Sequence, residues 1–275
     1  MERVKKFTVC TVILLTIIIP FGAFADVFYE ESSDKPVFSD DIEVINPSDL
    51  PKIEAEAAIV MEVKTGRVLY DKNAYSKRSI ASTTKIMTAI LAIENGNLDE
   101  LVTVSKRAAA IGGSTIHLKA GEKLSLRDLL YGLMLNSGND AAIAIAEHIG
   151  GTVEDFAEMM NKKARELGAK NTNFKTPHGL DTPGHYSTAY DMALLTRYAL
   201  QNKVFNEIVR TQSAQIPGRS LHNTNEMLDL YAGADGVKTG YTGQAGRCLV
   251  TSATRNGFRV ISVVLNCPSR TSRAN

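Results

Sequence analysis

Cysteine is scarce. Three occur in 275 residues, and no Cys₂–Cys₂ or Cys–His framework of the kind zinc needs is present, so no metal site is expected. There is no short internal repeat and no low-complexity tract, which sets aside repeat architectures. A dominant charge is also missing. The 31 Lys+Arg face 30 Asp+Glu, for a net charge of +1. Nucleic-acid-binding domains usually leave a basic footprint, so no nucleic-acid partner is expected. The apolar run Phe7–Ile19 is short for a hydrocarbon core of ~30 Å. Membrane association is therefore not supported by the sequence.

What remains is ordinary globular material, 44% hydrophobic and 22% charged, with enough chain to bury one large core. The N-terminus reads as a secretory signal peptide. Met1–Lys6 is basic, Phe7–Ile19 is apolar, Pro20 and Gly22 break the run, and Ala23-Phe24-Ala25 fits a small-x-small cleavage site. Cleavage after Ala25 would leave 28 basic and 29 acidic residues, net −1. The mature protein is then expected to work outside the cytoplasm. Residues 26–52 are acidic and polar and read as a spacer. The folded domain is expected at 53–275.

Ala57–Val63 and Arg67–Tyr70, joined by Lys64-Thr65-Gly66, predict a β-hairpin. Helices are predicted over 82–94, from the Ser125 cap to about 135, over 140–149, from the Thr152 cap to about 167, and from the Thr188 cap to about 202. Short strands follow at about 211–216, 236–240, 246–254 and 258–265. This order predicts an α+β fold, with an antiparallel sheet built from both chain ends and a helical insert between. The N-terminal hairpin must pair with the C-terminal strands to cover their edges. Asn256-Gly257 is a two-residue hairpin turn. It pairs residues whose numbers sum to 513, which sets Cys248 opposite Leu265 rather than Cys267, so no disulfide is expected.

Three short strings can carry chemistry. In Ser82-Thr83-Thr84-Lys85, the i and i+3 positions share a helix face. A serine needs a base to become a nucleophile, and a buried lysine can serve because desolvation lowers its pKa. Alone the string is worthless, since S-x-x-K arises about once by chance in such a chain. Ser137-Gly138-Asn139 lies between two predicted helices. A hydroxyl there can relay a proton and an amide can bind a substrate backbone, but by itself the string reads better as a helix break followed by an N-cap. Lys238-Thr239-Gly240 sits on a predicted strand, where a cation, a hydroxyl and a glycine can hold a carboxylate against the backbone.

Together, in this order, the strings match the serine acyl-enzyme set of penicillin-binding proteins and class A β-lactamases. The sequence resembles the low-molecular-mass penicillin-binding proteins that are D-alanyl-D-alanine carboxypeptidases, from about Ala57 to Arg273. Longer strings reinforce this: Arg78–Thr88, Leu135–Ala142, Thr176-Pro177-His178-Gly179-Leu180, Gly184–Asp191 and Gly236–Gly240. The resemblance implies a β-lactamase/transpeptidase-like fold and no cofactor. It implies that Ser82 attacks the carbonyl between two D-alanines, that Lys85 is the base, and that Ser137 passes the proton toward the leaving amine. Asn139 would hold the substrate amide. Lys238 would support the proton network, Thr239 would recognise the terminal carboxylate, and Gly240 would let the substrate lie close. The N–H groups of Ser82 and Tyr241 would form the oxyanion hole. The partners implied are the peptidoglycan stem peptide and β-lactam inhibitors, met at the cell wall or the outer face of the cytoplasmic membrane.

Three rivals are weaker. A Ser-His-Asp triad is the first, with His178 or His185 oriented by Asp181 or Asp191, but no G-x-S-x-G elbow accompanies them. Both histidines read instead as structural or site-wall residues. A class A β-lactamase needs a glutamate to activate the deacylating water, typically in an E-x-x-L-N string, and none occurs between Asn139 and Lys238. A non-catalytic penicillin-recognising protein would have no reason to keep all three strings. Two departures from the family stand out. Ile80 replaces a common proline, with no consequence expected for the chemistry. The family's C-terminal helix, small β domain and membrane-binding helix are not found before Asn275. Without that helix, apolar sheet residues such as Val260, Val263 and Leu265 are expected to be exposed and residues 26–275 to be marginally stable, melting no higher than about 60 °C.

Overall fold

The computed structural model describes residues 52–269. The leader and nearly all of the acidic segment lie outside them. Strands β1 (Ala57–Glu62) and β2 (Val68–Lys72) form the expected hairpin. A 3₁₀ turn, Ala81–Thr84, runs directly into α1 (Lys85–Asn95). The helical part continues with β3 (Leu101–Thr103), α2 (Lys106–Ala110), β4 (Lys123–Ser125), α3 (Leu126–Met134), α4 (Asn139–Gly150), α5 (Val153–Glu166), α6 (Ala189–Ala199) and α7 (Lys203–Arg210). Then follow β5 (Ser213–Ile216), β6 (Arg219–His222), α8 (Met227–Leu230), β7 (Ala234–Thr242), β8 (Gly246–Arg255) and β9 (Phe258–Cys267).

The main sheet has the order β2-β1-β9-β8-β7, all antiparallel. The two chain ends meet at β1 and β9, where Ala57 pairs with Leu265 and Glu62 with Val260. This closes the edge that β9 would otherwise present. The strand expected at 211–216 is not in that sheet; β5 pairs only with β6 in a separate ribbon, as β3 does with β4.

The helix starts follow from their caps. Ser125, Thr152 and Thr188 each accept from the backbone N–H three residues on, that of Asp128, Asp155 and Asp191, which satisfies a donor the helix leaves orphaned. Helix α4 packs against α1, α2, α3 and α5. Its buried run from Asn139 to Ala146 is half alanine because neighbours crowd every face. Helix α7 was not expected. Asn202, read as the end of the preceding helix, instead caps α7 by accepting from Val204 and Phe205. The i, i+3, i+4 spacing of Phe205, Ile208 and Val209, all buried, was its signal.

The 513 register holds from Arg255–Phe258 to Leu249–Val264. A bulge then shifts it by one, so that Arg247 pairs with Cys267. Asn266 takes a left-handed φ of 55° there, as short polar side chains tolerate. Cys248 and Cys267 are both buried thiols, not joined in a disulfide. They belong to different apolar clusters, Cys248 to the main core and Cys267 to a smaller one with Ala58, Leu249 and Val264. The same alternation corrects the expectation of exposed apolar sheet residues. Val263 and Leu265 are fully buried in the main core with Ile261, while Val260 is half-buried.

Candidate active site

The 3₁₀ turn and α1 bring Ser82 and Lys85 together. Lys85 is fully buried, and its Nζ lies 2.9 Å from Ser82 Oγ, 2.8 Å from Asn139 Oδ1 and 2.9 Å from the carbonyl oxygen of His178. Burial pushes the Lys85 amine well below its ordinary value of 10.5; the Lys238 charge pushes the same way, and buried Asp140 opposes. A neutral amine has two hydrogens and one lone pair. The Asn139 and His178 oxygens can only accept, so they take the two hydrogens. The lone pair is left facing the Ser82 hydroxyl, the arrangement a general base requires.

The second string lies between α3 and α4. Ser137 is buried with a left-handed φ of 60°, and Asn139 opens α4. Ser137 is not among the partners of Lys85. Asn139 is engaged at both ends, since its Oδ1 accepts from Lys85 and its Nδ2 donates to the Gly112 carbonyl at 2.8 Å. In this state it positions the lysine. Next to it, the Asp140 carboxylate accepts from the N–H groups of Ile116, Leu118 and Ala141, and Asn139 N donates to Ser114 O at 2.7 Å. Arg219 holds the same segment from outside, donating to the Ile116 and His117 carbonyls and to Glu122.

The third string lies on the edge strand β7. Lys238 is buried and its Nζ donates to Thr239 O at 3.0 Å. Gly240 packs against the turn that carries Ser82. A Cβ built on it would lie 3.0 Å from Ser82 N and 3.2 Å from Thr83 N, so glycine allows the close approach. Tyr241 follows, its side chain largely exposed beneath the Arg247 guanidinium, 5.0 Å from the ring centroid.

The segment 176–185 completes the site, and its backbone contacts were not legible in the sequence. Besides the His178 carbonyl on Lys85, the Pro177 carbonyl accepts from Thr88 at 2.6 Å. Asp181 accepts from Thr242 Oγ1 at 2.6 Å and from Gln244 N, tying the segment to the end of β7. Neither aspartate of the rival triad orients a histidine. Asp181 is spent on Thr242, and Asp191 accepts from Asn171 N and the Thr172 hydroxyl. His185 Nδ1 accepts from Lys175 N, which leaves Nε2 to donate to Thr84 Oγ1 at 2.8 Å. His178 Nδ1 accepts from Leu180 N. Both act as wall residues. Among the described residues, no group of three His, Cys, Asp or Glu is placed to hold a metal ion, and no helix is long and apolar enough to cross a membrane.

Burial keeps both histidines neutral. It pulls His178 down to about 3 and His185 down to about 4. Unfolded, each titrates near 6.5. The unfolded chain therefore binds more protons below that value, and stability falls as pH drops from 6.5 toward 4 and then 3. The expected loss between pH 7 and 5 is on the order of 3 kcal/mol for the two together. Urea denaturation at a series of pH values checks this, and a flat profile over that range would contradict it.

The comparisons with known proteins converge. The family model described as D-alanyl-D-alanine carboxypeptidase matches residues 44–269. D-alanyl-D-alanine carboxypeptidase DacF of Bacillus subtilis is 43% identical over 230 residues, covering 80% of this chain and 59% of that protein. DacC of Escherichia coli is 40% identical over 239 residues, covering 82% and 60%. The chain thus spans about three fifths of the length of these curated relatives. The crystal structure of the Streptomyces K15 DD-transpeptidase superposes with a TM-score of 0.78 at 39% identity, covering 82% of this chain and 94% of that one. That of DacD from Francisella tularensis gives 0.79 at 33% identity, covering 84% and 70%. With a matched model that takes in every residue of the three strings, the chain belongs to the D-alanyl-D-alanine carboxypeptidase family, Peptidase_S11.

Proposed function

We propose that this protein is a serine-type D-Ala-D-Ala carboxypeptidase that removes the terminal D-alanine of peptidoglycan pentapeptide stems at the cell wall, outside the cytoplasm. One observation carries the reading: a fully buried lysine amine, lowered in pKa, sits 2.9 Å from Ser82 Oγ. The domain boundaries expected from the sequence are kept in this proposal, with a cleaved leader at 1–25, a spacer at 26–52 and the enzyme from 53.

Ser82 Oγ attacks the carbonyl between the two D-alanines while Lys85 takes its proton. The oxyanion forms against the N–H groups of Ser82 and Tyr241; the close packing of Gly240, the neighbour of Tyr241, on Ser82 N supports this reading. Ser137 relays the proton from Lys85 to the departing amine, and D-alanine leaves. Lys238 supports this network, and Thr239 holds the substrate's carboxylate. Lys85, neutral again, then takes a proton from water, which cleaves the acyl-enzyme. A β-lactam acylates the same serine, but its ring-opened amine stays tethered and the adduct persists. None of these steps calls for a cofactor.

The test is D-alanine release from an acyl-D-Ala-D-Ala peptide. The protein is expected to release one D-alanine per peptide, and Ser82→Ala to release none above background. Absence of release by the folded protein, or undiminished release by the variant, would overturn the proposal.

A further inference from the structure

Thr224 stands outside all three strings, yet its Oγ1 lies 2.7 Å from Thr239 Oγ1. It sits on the loop after β6, at the point where two motif-bearing elements meet. On one side, Thr224 N donates to Leu135 O at 3.1 Å, and His222 N donates to Asn136 Oδ1 at 3.0 Å, both in the turn that leads into Ser137. On the other side, the Thr224 hydroxyl touches β7. The loop keeps its shape without that hydroxyl. Asn223 Nδ2 donates to the Thr211 carbonyl, Asn223 Oδ1 accepts from Asn225 N, and Asn225 Oδ1 accepts from Met227 N. Thr224 itself is exposed.

A hydroxyl has one hydrogen and two lone pairs. The Thr224–Thr239 bond uses one hydrogen, and either threonine can supply it. If Thr239 supplies it, Thr239 has only lone pairs left, and these repel a carboxylate. If Thr224 supplies it, Thr239 keeps its hydrogen for a carboxylate, which only accepts. We propose that Thr224 is a positioning residue: it donates to Thr239 Oγ1, turns the Thr239 hydrogen toward the bound terminal carboxylate, and so sets the preference for substrates that carry one. This rests on the proposed function, in which Thr239 holds the substrate's carboxylate and Ser82 is acylated. It adds a specificity determinant that touches the substrate only through Thr239.

The test compares acylation by benzylpenicillin, which carries a free carboxylate, with acylation by its methyl ester, which does not. Second-order rates are read by intact mass for the wild-type protein, Thr224→Val and Thr224→Ser. The ratio of the two rates is expected to fall about fivefold in Thr224→Val, the size of one lost hydrogen bond. Thr224→Ser, which keeps the donor, is expected to retain the wild-type ratio. An unchanged ratio in Thr224→Val, or an equal fall in Thr224→Ser, would overturn the inference while leaving the enzyme assignment intact. A wild-type protein that reacts with neither compound would overturn the assignment beneath it, and the inference with it.

Discussion

Lys85→Met is expected to slow acylation of Ser82 by about 10²–10⁴-fold, the usual worth of a positioned general base. The substitution keeps length and apolar packing while removing the lone pair that faces Ser82 Oγ. It also leaves the Asn139 and His178 oxygens without their donor, two buried acceptors that cost about 1–3 kcal/mol each when unpaired. The removed amine was itself expensive to bury, so the net loss of stability is smaller than that sum and the protein still folds. In the unsubstituted enzyme the base works only when neutral. The acylation rate therefore rises with pH as Lys85 loses its proton, with a midpoint well below the ordinary lysine value of 10.5. In Lys85→Met that pH dependence disappears. Stopped-flow acylation with a chromogenic cephalosporin across pH checks both points. A variant within tenfold of the parent would show that another group takes the proton.

Gly179→Ala is expected to damage both stability and rate, although Gly179 carries no functional group. Its φ is 83°, and a Cβ there would lie 1.9 Å from the Ala81 carbonyl oxygen and 2.6 Å from Thr84 Oγ1. Ala81 immediately precedes the nucleophile and itself holds a left-handed φ of 46°, so the turn has little room to yield. Relief requires the 176–180 segment and the nucleophile turn to part. That moves the His178 carbonyl away from Lys85. The expected cost is about 2–4 kcal/mol, with at least about a 10²-fold loss of acylation, as misplacement by 1 Å can cause. Gly218→Ala separates the two causes. Gly218 has a similar φ of 73° but nothing within 4 Å of its would-be Cβ, so it should cost only the backbone term of about 1–2 kcal/mol and leave the rate unchanged. Equal behaviour of the two variants would contradict the steric account.

These two residues mark the border of what the sequence makes legible. Lys85 is readable because its chemistry is a side chain at a fixed spacing from a serine on one helix face. Ser137, Lys238 and Thr239 are picked out only by the short strings they sit in, and the roles expected of them come from the family resemblance. The sheet's construction from both chain ends follows from strand order and the need to close an edge. The β8–β9 register follows from a two-residue turn. Gly179 is unreadable because its role is the absence of a Cβ at a contact between segments almost a hundred residues apart. The His178 carbonyl is unreadable because a backbone acceptor leaves no mark on residue choice. The bulge at Asn266 escapes turn arithmetic, which assumes an unbroken ladder. Thr224 escapes because a lone threonine in a loop is ordinary; only the folded chain sets its hydroxyl against Thr239.

Everything proposed above turns on Ser82, activated by a buried lysine of lowered pKa, being the nucleophile of an acyl-enzyme. Intact mass against time after addition of benzylpenicillin tests it most directly, with peptide mapping and Ser82→Ala as the control. One lasting adduct per chain, of the mass of the drug, is expected on the peptide that contains Ser82, and none in the variant. An adduct that survives Ser82→Ala, or drug consumed by the folded protein with no lasting adduct, would contradict it.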